Sequence, residues 1–173
     1  MNNILVIGAP GQGKTPFVRT MIENNRCFVF DIQNEYGDRT KYKDQKKVLL
    51  SNNVNAERAR YTGINMDEFV NLCSKKRDTI CVFEEATAFF QGRTKDRTTR
   101  HLINRYHTGN VSIFLFHSIN SVPPRLMEMA NFVVLFKTLD EIDTVYRKYN
   151  RLAMAFQDLE ESPDGTFKII KLI

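Results

Sequence analysis

One eight-residue run constrains this chain more than any other feature. Gly8-Ala9-Pro10-Gly11-Gln12-Gly13-Lys14-Thr15 satisfies G-x-x-x-x-G-K-[ST] at every fixed position. Ile4-Leu5-Val6-Ile7, just ahead of it, is a short continuous apolar run and reads as a strand buried on both faces. Residues 15–24 read as a helix. In a strand–loop–helix unit the glycines let backbone N–H groups converge on an anion, and the helix adds its positive N-terminal end. Lys14 is then placed to reach the β- and γ-phosphates of a nucleotide, and the Thr15 hydroxyl to coordinate Mg²⁺. Pro16 is tolerated because a first-turn N–H has no partner inside the helix. The dinucleotide pattern G-x-G-x-x-G fails, at Pro16.

The rest of the chain supplies the sheet such a loop needs. Apolar runs at 27–30, 79–83, 111–116 and 132–136 read as further buried strands. Val48-Leu49-Leu50 reads as an added strand, and 167–173 as a last strand at an edge. Met66, Phe69, Val70 and Cys73 have helical spacing within 66–76. Pro123-Pro124 opens a short helix through Met129, and a charged helix is expected over about 139–156. Strands alternating with helices imply an α/β fold with a mostly parallel sheet flanked by helices and right-handed crossovers. No internal repeat, linker or low-complexity tract is visible, so residues 1–173 are expected to form a single P-loop domain.

In such sheets ligands bind beyond the carboxyl ends of the strands. Gly8, Asp31, Glu84 and His117 each directly follow an expected strand. Glu84 and Glu85 are adjacent acids at the end of the third buried strand. Glu84 is expected to hold Mg²⁺ through a water, and Glu85 to orient or deprotonate a water attacking the γ-phosphate. The alternative is an exposed acidic pair at a strand end. Kinases built on the same loop need no base for water, so the pair favours a hydrolase.

Composition sets the remaining bounds. Hydrophobic residues are 42% and charged residues 26%, as in an ordinary globular domain, and the formal net charge is a mild +5. That excess permits nucleic-acid binding without establishing it. The cysteines, Cys27, Cys73 and Cys81, are odd in number and lack C-x-x-C spacing, so reduced thiols in a cytoplasmic protein are expected. No signal peptide is evident, and no run reaches the roughly 18 apolar residues of a membrane span. Arg93, Lys95, Arg97 and Arg100 form a basic stretch that could track DNA phosphates; the alternative is a solvated loop. Lys41, Lys43, Lys46 and Lys47 read as plain surface.

With these residues in view, the chain resembles the FtsK–HerA superfamily of DNA-pumping ATPases (RecA/ASCE-like P-loop NTPases), especially the compact genome-packaging ATPases of viruses. The resemblance spans residues 3–138 and rests on four blocks: GAPGQGKT, FVFDIQNEYG (28–37), ICVFEEA (80–86) and RYHTGNVSIFLFHSINSVPP (105–124). It implies that Asp31 and Glu35 line the site beside the second strand. It places His117 where the family has a glutamine sensing the γ-phosphate, with Ser118 one register step away. Arg105 falls near the arginine that enters a neighbouring subunit's site, with Arg100, Arg97 and Arg125 as substitutes. The family has Asp-Glu where this chain has Glu84-Glu85, and the spacing from Arg105 to Gly109 is one residue longer than usual.

The expected function is therefore an ATP-hydrolysing DNA translocase, a viral packaging motor using Mg·ATP. The resemblance implies a homo-oligomeric ring of five or six subunits, single- or double-stranded DNA, a capsid or portal partner, and the host cytoplasm or the virion as location. The rivals are a filamentous-phage-type morphogenesis ATPase, a small-molecule or nucleotide kinase with 91–105 as its lid, and a nucleotide switch with negligible turnover.

Overall fold

A computed structural model describes residues 3–37, 50–90, 107–141 and 149–172. Seven strands, β1 (Asn3–Ile7), β2 (Cys27–Phe30), β3 (Arg58–Tyr61), β4 (Ile80–Phe83), β5 (Val111–Phe116), β6 (Phe132–Phe136) and β7 (Phe167–Lys171), form one sheet in the order β3-β2-β4-β5-β1-β6-β7. β2 runs parallel to β3 and β4, β1 runs parallel to β6, and β7 is antiparallel to β6. Five helices accompany them among the described residues: α1 (Lys14–Ile22), α2 (Met66–Lys75), α3 (Ala86–Phe90), α4 (Pro124–Glu128) and α5 (Asn150–Glu160). This is the expected α/β arrangement.

The strand sequences explain the topology. β1 and β2 are apolar along almost their whole length and buried at every residue, as strands covered on both faces must be. β7 alternates Phe, Lys and Ile, is mostly exposed, and closes the sheet as an antiparallel edge carrying Lys168 and Lys171.

The described residues divide into two compact units. The first takes residues 15–37, 50–84 and 107–113. Its core gathers Phe69 of α2 against Phe28, Phe30, Tyr61 and Phe83. α2 begins at Asn65, whose side chain accepts from the Glu68 N–H, and buries Met66, Phe69, Val70 and Cys73, the stripe expected from the sequence. Asn110 pins the far end of α2: its Nδ2 donates to the carbonyls of Cys73 and Lys76, and its Oδ1 accepts from the N–H of Thr79. The three cysteines lie in this unit as buried thiols.

The second unit takes residues 3–14, 85–90, 114–141 and 149–172. Its core contains β1, the end of β5, β6, and Leu152, Ala153, Phe156 and Leu159 of α5. Phe90 of α3 packs on Phe114 and Phe116.

Two expected elements need comment. Of the helix expected over 139–156, residues 139–141 are not helical, 142–148 lie outside the described residues, and 150–156 belong to α5, Asn150–Glu160. The physical reason is Asp140, whose carboxylate accepts from the N–H groups of Ile119 (2.7 Å) and Asn120 (3.1 Å) and ties this segment to the turn after β5. β3 is a strand that no apolar run in the sequence announces, beside the expected Val48-Leu49-Leu50. Val48 and Leu49 lie outside the described residues; Leu50 is not in a strand and donates its N–H to the Tyr36 carbonyl.

Candidate active site

The loop between β1 and α1 shows why its glycines stand where they do. Gly11 and Gly13 have φ of 81° and 94°, in the left-handed region that favours glycine. Gly8 meets a different constraint: a Cβ there would lie 2.6 Å from Cβ of Phe136. The loop is fastened to its neighbours by the Gly8 N–H donating to the Phe116 carbonyl (3.0 Å) and the Ala9 N–H donating to the Lys137 carbonyl (2.7 Å). Lys14 is buried, and its Nζ donates to the carbonyls of Gly8 (2.7 Å) and Ala9 (3.0 Å), curling back over the loop. Pro10 and Gly11 are exposed, Gln12 and Gly13 half-buried. Thr15 and Pro16 stand half-buried in the first turn of α1.

The two acids diverge. Glu84 is buried, and Oε1 accepts the hydroxyl proton of Tyr36 at 2.5 Å. Burial, and then the Glu84 charge, push the Tyr36 hydroxyl well above its ordinary pKa. Glu85 is half-buried and sits at φ 54°, left-handed backbone that costs a non-glycine residue about 1–2 kcal/mol. Its Oε2 lies 3.2 Å from Nε2 of His117, close enough to accept from an Nε2–H. The His117 backbone N–H donates to Oγ1 of Thr87 (3.0 Å). Nδ1 of His117 is buried without a hydrogen-bond partner among the described residues. A carboxylate carried on left-handed backbone and in contact with an imidazole is an arrangement able to move a proton.

Asp31 and Glu35 are committed to a different network. Asp31, 1% exposed, accepts from the N–H groups of Glu35 (2.7 Å) and Tyr36 (3.1 Å) and from Nη1 of Arg60 (3.1 Å). Glu35 pairs with Arg19 of α1 at 3.5 Å, and the Arg19 guanidinium lies over the Tyr36 ring. Asp31 thus builds the turn that carries Tyr36 to Glu84. Ser118 accepts from the Ser121 N–H and forms the turn after β5; Arg125 is exposed on α4. Arg93, Lys95, Arg97, Arg100 and Arg105 lie outside the described residues, as do Lys41, Lys43, Lys46 and Lys47.

Sequence reasoning missed Tyr36, Thr87, Phe136 and Arg60 as parts of the site. Tyr36 was visible only as the tyrosine of N-E-Y; nothing local ties it to Glu84. A signal existed for Thr87, two residues beyond Glu85.

The donor set suits Mg²⁺ held mainly by nucleotide phosphates. The Thr15 hydroxyl and the Glu84 carboxylate are hard oxygens, and Mg²⁺ in such sites takes only one or two carboxylates from the protein. No three His, Cys, Asp or Glu side chains gather into a metal cage among the described residues. No helix among the described residues is long and apolar enough to cross a membrane.

Removing one hydroxyl tests the Tyr36–Glu84 contact. A buried tyrosine that resists ionisation contributes stability present below the unfolded-state pKa of about 10 and lost as pH rises toward its raised folded value. Tyr36→Phe is expected to cost about 1–3 kcal/mol near neutral pH, through the lost donor on a buried carboxylate, and to flatten the fall of stability above about pH 10. Denaturant titrations at several pH values check both.

No family model and no curated relative matches this sequence. Solved structures do. The genome packaging NTPase B204 from Sulfolobus turreted icosahedral virus 2, in complex with ATP-gammaS, matches with TM-score 0.76 at 16% identity, over 99% of this chain and 92% of that one. Its AMPPCP complex matches with TM-score 0.69 at 18% identity, over 99% and 98%. B204 from Sulfolobus Turreted Icosahedral Virus, a DNA-packaging ATPase, matches with TM-score 0.70 at 15% identity, again over 99% and 98%. At these identities the likeness establishes the P-loop NTPase fold across the chain.

Proposed function

We propose that this chain is a Mg²⁺-dependent ATPase of the P-loop class that drives DNA translocation, a viral genome-packaging motor acting as a homo-oligomeric ring. The observation that carries the hydrolase reading is Glu85: directly after the buried Glu84, it is held in left-handed backbone with its carboxylate on His117. A residue kept in that conformation at a strand end beside a phosphate loop is better explained by chemistry than by packing. In this reading Gly8 to Thr15 bind the phosphates of ATP, Thr15 and Glu84 hold Mg²⁺, Glu85 activates water, and His117 senses the γ-phosphate. The motor reading draws on likeness to proteins described as genome-packaging NTPases and crystallised with ATP analogues. The same resemblance supports one domain, a capsid or portal partner, host cytoplasm or virion, an arginine supplied in trans by Arg105 or a neighbour, and DNA contacts from Arg93, Lys95, Arg97 and Arg100.

The test is phosphate release with and without double-stranded DNA, with and without chelation of Mg²⁺, alongside solution mass with bound nucleotide. The expected result is turnover that DNA raises, chelation abolishes, and a nucleotide-dependent oligomer accompanies. Phosphate transfer to a small acceptor with no DNA effect overturns the motor in favour of a kinase. A monomer under every condition overturns the trans arginine.

A further inference from the structure

A cavity of about 220 Å³ is lined by Phe136, Lys137 and Thr138 at the end of β6 and by Phe156, Leu159 and Glu160 of α5. We propose that it receives the purine base of the nucleotide whose phosphates the Gly8–Thr15 loop holds; this rests on the phosphate-loop reading and adds the part of the ligand that the loop does not see.

The cavity and the loop are built on the same two residues. Phe136 supports Gly8 and Gly13 from below: a Cβ on Gly13 would lie 3.7 Å from Cε1 of its ring. The Lys137 carbonyl accepts from the Ala9 N–H at 2.7 Å. The turn after α5 also touches the loop and the end of β6. The Gly165 N–H donates to Oε1 of Gln12 (3.4 Å), and Nζ of Lys137 pairs with Asp164 at 3.6 Å. The cavity and the loop therefore share Phe136 and Lys137 as common walls and supports.

Size and chemistry select the occupant. The volume falls below the about 300–1,000 Å³ of sites for drug-sized molecules, so it fits a heterocycle rather than a whole nucleotide. Phe136, Phe156 and Leu159 are nearly fully buried and give apolar walls, while Thr138 is half-buried and Glu160 exposed at the rim. A flat, apolar-faced base satisfies the walls, and the Glu160 carboxylate can accept from the exocyclic amino group of adenine. The C-terminal helix, whose role the sequence leaves open, becomes the base-recognition element.

Calorimetric titration of the full chain with ATP and with inorganic tripolyphosphate, both with Mg²⁺, separates base from phosphate. Wild type is expected to bind ATP about tenfold to hundredfold more tightly than tripolyphosphate, the gain that a stacked base supplies. Thr138→Trp, which fills the mouth, is expected to erase most of that difference and leave tripolyphosphate affinity within about twofold, a small change on the tenfold scale. Glu160→Lys, on an exposed position that cannot unfold the core, is expected to move ATP affinity in the same direction. Equal wild-type affinity for the two ligands, or variants that weaken both in parallel or neither, overturns the base site while the loop stands. Failure of wild type to bind either ligand removes the phosphate-loop reading, and the base site with it.

Discussion

Glu85→Gln is expected to keep nucleotide bound and to lower turnover by about 10²–10⁴, the range lost with a positioned general base. The amide is isosteric with the carboxylate, and its oxygen can still accept from Nε2 of His117 across the 3.2 Å contact. What it cannot do is take a proton from water or hold negative charge beside it. The left-handed backbone at φ 54° belongs to the turn between β4 and α3 and should survive the change. The loss should therefore fall on the chemical step, seen in single-turnover phosphate release, with nucleotide affinity close to wild type. Lys14→Ala should show the opposite pattern, because the buried ammonium that now donates to the Gly8 and Ala9 carbonyls is the charge a polyphosphate would recruit. A Glu85→Gln protein with undiminished turnover would move the base elsewhere, with Glu84 the next candidate.

The legible parts of the fold were those written as local pattern. A continuous apolar run announces a doubly covered strand, and β1, β2, β4, β5 and β6 lie where the runs stand. The G-x-x-x-x-G-K-T loop is legible because its constraints are backbone constraints: Gly11 and Gly13 have positive φ and Gly8 has no room for a Cβ. β3 escaped notice because Arg-Ala-Arg-Tyr has no apolar run; it needs only one buried residue, Ala59, as a strand at the edge of the sheet. Residues 139–141 were expected in a helix because Asp140 looks like ordinary surface charge until Ile119 and Asn120 are seen donating to it. The same separation hides the site's support: Phe136 beneath Gly8 and Tyr36 on Glu84 are contacts across 128 and 48 positions, which no local spacing encodes.

The contacts of Asp31 favour a structural role for this strand-end acid. Asp31→Ala is expected to destabilise the protein by about 3–5 kcal/mol, the cost of breaking a buried ion pair from one side. The carboxylate is 1% exposed and its partner Arg60 has a side chain 11% exposed, so solvent cannot replace what is lost. The N–H groups of Glu35 and Tyr36 lose their acceptor, and Nη1 of Arg60 loses its ionic partner and keeps only Oδ1 of Asn34. Arg60 retains Asn52 as an acceptor for Nε, which keeps the penalty from exceeding that range. With a denaturant dependence of about 1–3 kcal/mol/M in urea, the midpoint should fall by a molar unit or more. Asp31→Asn keeps the shape and one acceptor oxygen and should lose less. The turn from Asp31 to Tyr36 carries the hydroxyl that engages Glu84, so loosening it should lower turnover as well. The order of the two effects decides the role. An acid that touches ligand would cost nucleotide affinity while the protein is still fully folded. An acid that anchors the turn costs stability first, and Asp31→Asn, measured well below its unfolding midpoint, should then bind nucleotide as wild type does.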